Sequence, residues 1–370
     1  MIPLYDPKPE IAAQRAEFDA RLAGVLDTGS FILGPEVSQF ETAMAEVIGV
    51  EHCIGVNSGT DALIIGLRAA GVKPGDEVIT SSFTFFATGE AIDLIGATPV
   101  FVDIDPGTMN LDPAMIRQAI TPKTTAIVPV HIFGRPADMT AISAIAQAND
   151  LIVFEDCAQS FGAASEGRLT GSIGHAGAFS FFPSKNLGAF GDGGAITTDD
   201  AAIAEEAIRL RNHGSIKRYE NEVFGYNSRL DSLQGAVLNV KLPYVQSNNE
   251  RRRTIAATYN EAFTDLPGII VPAFPERDRH VFGQYTMRVL DGRRDQLATA
   301  IQEREVSTAV YYPTPLHQLP VYRDRTHGPL MVTEQLASEV LSVPMFPGMT
   351  NEQLEAVVEA VLESAMAISA

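Results

Sequence analysis

Two stretches near the start of the chain space their apolar residues three or four positions apart. This spacing places the apolar side chains on one face of a helix, and a glycine, Gly29 or Gly49, follows each stretch as a helix end does. The sequence therefore predicts two amphipathic helices at the start of the chain. Their apolar faces are formed by Ile11, Phe18, Leu22 and Val25, and by Val37, Phe40, Met44 and Val47.

After residue 50 the pattern changes to short apolar runs that alternate with helical stretches. The runs predict strands over residues 53–56, 78–80, 99–102, 126–130 and 151–154. A helix is predicted over residues 112–120, with Asp112 as its N-cap and Pro113 as its first residue. Strands that alternate with helices indicate an α/β protein with a largely parallel sheet covered by helices on both faces.

Past Gly177 the pattern is typical of hairpins, with glycines ahead of a strand predicted over residues 195–198. A long helical stretch follows over residues 233–263, which Pro243 can interrupt. Further strands are predicted over residues 285–290 and 308–312, and helices over residues 296–304 and 351–366. We therefore expect a large domain over residues 1–250 and a smaller α+β domain over residues 251–370.

Composition and charge narrow the function. The 370 residues are 45% hydrophobic and 20% charged, as in globular proteins. A net charge of −19 argues against nucleic-acid binding, and no apolar run is long enough to cross a bilayer. The cysteines, Cys53 and Cys157, predict buried thiols and fit a cytoplasmic location. The histidines are scattered without metal-binding spacing, so we expect no metal.

Lysine is rare in this chain, and one lysine has unusual neighbours. Lys185 lies in the segment FFPSKNLGAF, residues 181–190, whereas the other lysines lie in polar or turn-like surroundings. Apolar surroundings disfavour the ammonium form and yield a neutral amine that can attack a carbonyl. Taken alone, Lys185 is equally compatible with a partly exposed lysine whose stem is buried.

An acidic residue strengthens the interpretation of Lys185 as an amine that attacks a carbonyl. Asp156 follows the apolar run 151–154, at the carboxyl end of a predicted strand, where open α/β sheets bind ligands. A carboxylate there can pair with the protonated pyridine nitrogen of pyridoxal phosphate, the alternative being that it caps the following loop.

Other segments suit a phosphate and a flat ring. The segment NSGTDAL, residues 57–63, leads from a strand through small residues into a helix, which presents free N–H groups to an anion. Ser180 can add a hydroxyl to the same site. The aromatic segment FTFFAT, residues 83–88, follows a predicted strand and offers rings for stacking, although most phenylalanines simply fill cores.

Together these segments resemble those of the DegT/DnrJ/StrS-type sugar aminotransferases. The resemblance extends from about Tyr5 to the C-terminal helix, with the segments in the family's order and spacing. It implies the pyridoxal-phosphate-dependent transferase fold type I, with a mostly parallel mixed sheet in the large domain. The matching segments are ILGPEV (32–37), NSGTDAL (57–63), FTFFAT (83–88), EDCAQS (155–160), SFFPSKN (180–186), GDGG (191–194) and YNSRLD (226–231).

The resemblance also implies roles for individual residues. Lys185 matches the lysine that holds pyridoxal 5'-phosphate and then moves the proton, and Asp156 matches the partner of the pyridine nitrogen. Arg229 is our candidate for binding the carboxylate of the amino donor. The remaining matches are Gln159 beside the ring hydroxyl, Phe85 and Ala158 on the two ring faces, Gly59, Thr60 and Ser180 around the phosphate, Asn227 from the second subunit of a homodimer, and Tyr312 and His317 near the substrate. His131 and His317 are each compatible with a structural role as well.

The reaction that the resemblance implies is transfer of an amino group from an amino acid, expected to be glutamate, to a nucleotide-linked keto-sugar. The C-terminal segment favours a 3-keto over a 4-keto sugar, for polysaccharide or antibiotic biosynthesis. A related sugar dehydratase is the first alternative, but it resembles this family with histidine in place of lysine. A regulatory protein that keeps the fold without turnover is the second, and an NAD-dependent oxidoreductase lacks its dinucleotide fingerprint here.

Overall fold

Two β-sheets and the helices packed on them form the framework of the protein, of which the computed structural model describes residues 1–217, 219–275 and 277–369. The helices are α1 (Lys8–Ala13), α2 (Arg15–Thr28), α3 (Pro35–Ile48), α4 (Gly59–Ala69), α5 (Phe86–Leu94), α6 (Pro113–Ala119), α7 (Met139–Ala148), α8 (Ala201–Arg211), α9 (Ser232–Lys241), α10 (Val245–Phe263), α11 (Arg294–Gln302), α12 (Met331–Glu339) and α13 (Asn351–Ser369). The strands are β1 (His52–Val56), β2 (Glu77–Ser81), β3 (Thr98–Val102), β4 (Thr124–Val128), β5 (Ile152–Asp156), β6 (Ala164–Ser165), β7 (Arg168–Leu169), β8 (Ala176–Ser180), β9 (Gly194–Thr198), β10 (Ile269–Ile270), β11 (Tyr285–Val289) and β12 (Val340–Val343).

The larger sheet has seven strands in the order β1-β9-β8-β5-β4-β2-β3. Strand β9 runs antiparallel to both of its neighbours, whereas the pairings from β8 across to β3 are parallel. Parallel neighbours need long crossover connections, and helices α4 to α7 lie in the connections between β1 and β5. The prediction of a largely parallel, mixed sheet is therefore confirmed.

Helices cover both faces of this sheet because its strands are apolar on both sides. In β5, Val153 packs with Ile142 of α7, and the next residue, Phe154, packs on the opposite face with Leu63 of α4. Helix α4 approaches β5 closely at Gly66, where an added Cβ would collide with the ring of Phe154. This close packing fixes the N-terminal end of α4 relative to the carboxyl end of β5.

The smaller sheet joins β10, β11 and β12 in antiparallel order. Its core combines Phe263 of α10, Leu297 of α11 and Val357 of α13. Strand β11 confirms the strand predicted over residues 285–290, and α11 and α13 confirm the two predicted helices. Helix α10 runs through residue 250, and the division into domains 1–250 and 251–370 stays a prediction.

The strand predicted over residues 308–312 is wrong. The structure has only an isolated bridge there, between Ala309 and Ser342, and the strand that completes the smaller sheet is β12. The tyrosine-rich sequence has high strand propensity, but tertiary packing overrides it. The ring of Tyr312 lies 6.1 Å from that of Phe83 and stacks at 6.5 Å on that of Phe133, so this segment makes contacts with the loops after β2 and β4 rather than a β-ladder.

The opening helices follow the sequence pattern with two exceptions. The first predicted helix is divided into α1 and α2, because the backbone of Gln14 between them is not helical. Met44 and Ile48 are buried on α3, whereas Val47 is 42% exposed, so its assignment to the apolar face is wrong. The interruption at Pro243 is confirmed, because a short 3₁₀ turn, Leu242–Tyr244, separates α9 from α10. Among the described residues, no helix combines the length and the apolar character needed to span a bilayer.

A buried histidine predicts sensitivity to acid. His280 is stacked on Phe282 with ring centroids 3.7 Å apart, and burial lowers its pKa from 6.5 to about 3. Between these values the unfolded chain binds a proton that the folded chain does not, so the free energy of unfolding should fall as the pH drops below 6.5, by up to about 1.4 kcal/mol per pH unit from this group. Urea unfolding at pH 7, 6 and 5 measures the slope. His280→Gln should flatten it, and an unchanged slope in this variant would contradict the assignment.

Candidate active site

The carboxyl ends of strands β1, β5 and β8 meet at one edge of the larger sheet. The registers place Val56 and Ser180 on either side of Gly194, and pair Asp156 with Ala178. Asp156 is the last residue of β5, which confirms its predicted position at the carboxyl end of this strand. Groups at this edge converge on one place, which is where open parallel sheets bind their ligands.

The turn after β1 forms a cradle for an anion. Ser58 caps helix α4, because its Oγ accepts a hydrogen bond of 3.1 Å from the N–H of Asp61. The N–H groups of Gly59 and Thr60 belong to the first turn, where a helix provides no internal partner, and they lie at its positive end. A Cβ on Gly59 would lie 2.6 Å from the Cβ of Ser180, so Ser180 adjoins this turn closely. The arrangement fits a phosphate group.

Asp156 is a buried carboxylate, 4% exposed, with partners for both oxygens. Its Oδ1 accepts from the N–H of Ala158 at 3.1 Å, and its Oδ2 accepts from the hydroxyl of Thr88 at 2.8 Å. Burial raises the pKa of Asp156, while the two hydrogen bonds and the positive charge of Lys185 oppose this rise. A carboxylate oxygen can accept more than one hydrogen bond, so the group can still bind a cationic N–H.

Lys185 lies in the loop between β8 and β9, within electrostatic reach of Asp156. Burial lowers the pKa of its amine, and the carboxylate of Asp156 partly opposes this effect. A lowered pKa increases the share of neutral amine near neutral pH, the form that attacks an aldehyde. The structure thus brings together the two residues that the sequence singled out first.

Gln159 has a defined amide orientation. Its Oε1 accepts a hydrogen bond of 2.6 Å from the N–H of Phe133, which makes Nε2 the donor, and Nε2 donates to the hydroxyl of Tyr312 at 2.6 Å. The second N–H of this amide can donate to another oxygen, such as the hydroxyl of a cofactor ring. Tyr312 therefore connects the C-terminal part of the chain to the predicted cofactor site.

Phe85 and Ala158 suit the two sides of a flat ring. Phe85 is 60% exposed although it is a large aromatic, and its ring lies 6.4 Å from that of Tyr312. Ala158 is half-buried next to the carboxylate of Asp156. The exposed ring of Phe85 lies near Tyr312, which also contacts Gln159, and this arrangement is consistent with a planar ligand at this edge of the sheet.

Asn227 and Arg229 flank Ser228, which contacts the turn after β1. Burial alternates along this segment, with Ser228 and Leu230 fully buried and Asn227 exposed. Ser228 faces inward and donates to Oδ1 of Asn57 at 3.1 Å, whereas Arg229 donates to the side chains of Asn227 and Asn212. Side chains alternate in direction along an extended segment, so Asn227 and Arg229 lie on the side opposite to Ser228, where Asn227 is exposed and Arg229 is partly buried.

Both ring nitrogens of each candidate histidine, His131 and His317, already have hydrogen-bond partners within the protein. The ring of His317 contacts the hydroxyl of Ser82 at 2.7 Å and the carboxylate of Glu334 at 3.0 Å. His131 accepts from the N–H of Ala137 at its Nδ1 and contacts Glu155 through its Nε2 at 2.9 Å. These contacts support the structural alternative for both residues.

Glu155, the neighbour of Asp156, holds the loop between β7 and β8 in place. Its two oxygens accept hydrogen bonds from the N–H groups of Gly171, Ile173 and Gly174, in addition to the contact with His131. Burial raises the pKa of Glu155, but the contact with His131, together with the N–H groups of Gly174 and Gly171, outweighs burial and leaves the pKa lowered. Cys157 lies close enough that the ligand atoms of His131, Glu155 and Cys157 are within 4.8 Å of one another, but Glu155 is already saturated by protein donors.

We expect Glu155→Gln to lower the free energy of unfolding by about 3 kcal/mol, because it leaves buried donors without an anion. Glu334→Gln is the matched control, since it breaks a histidine contact at a half-exposed carboxylate and should cost less than about 1 kcal/mol. Urea unfolding followed by circular dichroism measures both. Equal losses in the two variants would show that the burial of Glu155 has no such effect.

Sequence reasoning missed some features of this site. Thr88 lies in a matching segment, but its hydrogen bond to Asp156 joins residues 68 positions apart, which no local pattern reveals. The prediction of polar surroundings for Lys241 is wrong, because this residue is buried on α9, where its amine lies 3.9 Å from the carboxylate of Glu10. The helical spacing of apolar residues around Lys241 was the available signal.

The residues present fit pyridoxal phosphate. The cradle at α4 suits its phosphate, the buried carboxylate suits its pyridine nitrogen, the amide of Gln159 suits its ring hydroxyl, and the amine of Lys185 suits its aldehyde. Fold and site thus define a pyridoxal-phosphate-dependent transferase of fold type I. The chain belongs to the DegT/DnrJ/EryC1/StrS aminotransferase family, whose model matches residues 12–362.

Relatives and solved structures agree with this assignment. The chain is 46% identical to a "Pleiotropic regulatory protein" of Geobacillus stearothermophilus, over 98% of each chain. It is 45% identical, over 95% of each chain, to a UDP-N-acetyl-3-dehydro-alpha-D-glucosamine 3-aminotransferase of Acidithiobacillus ferrooxidans. Its fold is similar to that of S. venezuelae DesV, solved in complex with a ketimine intermediate, with a TM-score of 0.95, 43% identity and 98% of each chain covered.

Proposed function

We propose that this protein transfers an amino group from an amino acid, most simply glutamate, to C3 of a nucleotide-linked keto-sugar. The observation that carries the proposal is the proximity of Lys185 to Asp156 at the carboxyl edge of the larger sheet, where their charges interact. Pyridoxal phosphate, when bound, supplies an aldehyde that accepts the amino group and a ring that withdraws electrons from the reacting carbon.

The proposed task of Lys185 is to move one proton. Its amine loses a proton readily because burial lowers its pKa, and it can then take a proton from the substrate carbon and return it elsewhere. Asp156, close to this amine, would pair with the pyridine nitrogen of the cofactor and keep that nitrogen protonated. Gln159, fixed by Phe133 and Tyr312, would donate its remaining N–H to the ring hydroxyl of the cofactor.

The proposed partner subunit completes the site. Asn227 is exposed, and Phe224, three positions before it, is 95% exposed. The apolar residues Phe31 and Ile32 are about half exposed. Exposed apolar surface of this kind is typical of protein interfaces. We infer a homodimer in which Asn227 supports the phosphate bound to the other chain and Arg229 binds the donor carboxylate through its planar fork.

Hybrid dimers test the shared site. Lys185→Ala and Asn227→Ala should each be nearly inactive alone, but a dimer of one with the other retains one site with both residues intact. After unfolding and refolding an equal mixture, roughly a quarter of the sites should be active, because half of the dimers are hybrids. A site built within one chain would show no recovery, which would contradict the arrangement.

The substrate is tested with a panel of UDP- and dTDP-linked sugars that carry a keto group at C3 or C4. The A. ferrooxidans relative is named as a 3-aminotransferase of a UDP-linked 3-dehydro sugar, which supports the 3-keto group. Purified protein with glutamate should convert a 3-keto sugar to an amino sugar, detected by mass spectrometry. Conversion of 4-keto sugars only would refute the C3 proposal.

The cytoplasmic location stays a prediction from the sequence.

A regulatory role is the second candidate, because the Geobacillus stearothermophilus relative is named a pleiotropic regulatory protein. Lys185 and Asp156 have no evident purpose in a protein without turnover, so their placement favours catalysis. Adding glutamate to the cofactor-loaded protein distinguishes the two. A change in the visible absorbance of the cofactor supports transamination, whereas a constant spectrum supports the regulatory role.

A further inference from the structure

Two buried threonine hydroxyls form a chain that ends on Asp156. Thr84 and Thr88 are 2% and 1% exposed, and their Oγ1 atoms lie 3.1 Å apart. The hydroxyl of Thr88 donates to Oδ2 of Asp156 at 2.8 Å. Thr84 precedes helix α5 and Thr88 lies in its first turn, so both side chains come from one short segment of the chain.

The direction of this chain follows from the number of protons. Each threonine hydroxyl has one proton, and that of Thr88 is used on Asp156. In the contact between the threonines, Thr84 must therefore be the donor. Both O–H dipoles point toward the carboxylate, and each hydrogen bond polarises and strengthens the next.

A purely local role does not explain this geometry. Threonine hydroxyls near helix N-termini commonly bond to nearby backbone groups and so cap the helix. Thr88 instead reaches a side chain 68 positions away in the sequence, at the carboxyl end of β5. The backbone N–H of Ala158 holds the other oxygen of the same carboxylate, so Asp156 is fixed from two sides.

We propose that Thr88, supported by Thr84, is a positioning residue that holds the carboxylate of Asp156 ionised and in one rotation for the ring nitrogen of the cofactor. The inference rests on the placement of that ring nitrogen against Asp156 proposed above. Thr88 acts only through Asp156. Its removal should therefore weaken cofactor binding and ring protonation without abolishing catalysis.

Thr88→Val removes the hydroxyl and keeps the shape of the side chain. The dissociation constant for pyridoxal phosphate, measured on the apoprotein by fluorescence titration, should rise about tenfold, as expected for a hydrogen bond to a charged group. The ¹⁵N chemical shift of ring-labelled cofactor should move toward that of an unprotonated pyridine. Thr88→Ser should restore both values. Thr80→Val is the control, because Thr80 is equally buried but donates to the carbonyl of Val128, and it should change neither value.

Other outcomes would overturn the inference. An unchanged dissociation constant and ¹⁵N shift in Thr88→Val would refute the role of Thr88. If Thr88→Val does not fold, Thr84→Val decides, with an expected two- to threefold rise, and no rise refutes the chain of hydroxyls. Asp156→Asn distinguishes the placement of the ring nitrogen from the role of Thr88. If it too leaves the ¹⁵N shift unchanged, the placement of the ring nitrogen fails. If Asp156→Asn moves the shift and Thr88→Val does not, only the inference about Thr88 fails.

Discussion

Replacing Lys185 with alanine is expected to lower kcat/KM for amino transfer by about a thousandfold or more, because the variant loses the group that moves the proton. The cofactor should still bind through its phosphate and ring nitrogen, so the loss should lie mainly in kcat. Stopped-flow absorbance after mixing loaded enzyme with glutamate measures the first half of the reaction directly. A small primary amine, such as methylamine, should restore part of the rate.

Lys241 provides a matched control for this variant. It is also buried, and burial lowers its pKa, but it lies on α9 beside Glu10 rather than beside Asp156. Lys241→Met should reduce stability and leave the first half of the reaction nearly unchanged. Comparable rate losses in the two variants would mean that any buried lysine matters through the fold, and the role proposed for Lys185 would be wrong.

Replacing Asp156 with asparagine is expected to lower kcat by about a hundredfold to a thousandfold, because a neutral amide cannot keep the ring nitrogen protonated. The side chain keeps its size, so the fold should persist. Single-turnover kinetics with glutamate and ¹⁵N-labelled cofactor report the rate and the protonation state of the ring together.

Asp103 is the appropriate comparison for Asp156. It too is a buried aspartate that accepts hydrogen bonds from backbone N–H groups and from a threonine hydroxyl, that of Thr333. Asp103→Asn should affect stability and leave the ¹⁵N shift of the cofactor unchanged. If Asp156→Asn retained normal single-turnover rates, the pairing of this carboxylate with the ring would be contradicted.

Local sequence signals were sufficient to find part of the fold and the site. Lys185 stood out because a lysine is rare in an apolar segment, and Asp156 because it comes at the end of an apolar run. The alternation of strands and helices predicted a sheet covered by helices, because the spacing of apolar residues along each element indicates which side chains are buried. The strand order of that sheet is set by long-range pairing, which no local period contains.

Features that depend on tertiary contacts could not be predicted from the sequence. The segment 308–312 has the composition of a strand, but Tyr312 is held between Phe83 and Gln159, so packing decides its conformation. The hydrogen bond from Thr88 to Asp156 and the burial of Lys241 likewise depend on elements that are distant in sequence. The outward direction of Asn227 becomes visible only from the burial of Ser228.

The covalent site of the cofactor is the central claim and can be measured directly. Borohydride reduction of the loaded protein, followed by proteolysis and peptide mass analysis, should place the reduced cofactor on the peptide that contains Lys185. The same treatment of Lys185→Ala should label no peptide. Label on a different lysine in the wild-type protein, or an unmodified Lys185 peptide in protein that retains bound cofactor, would contradict the account.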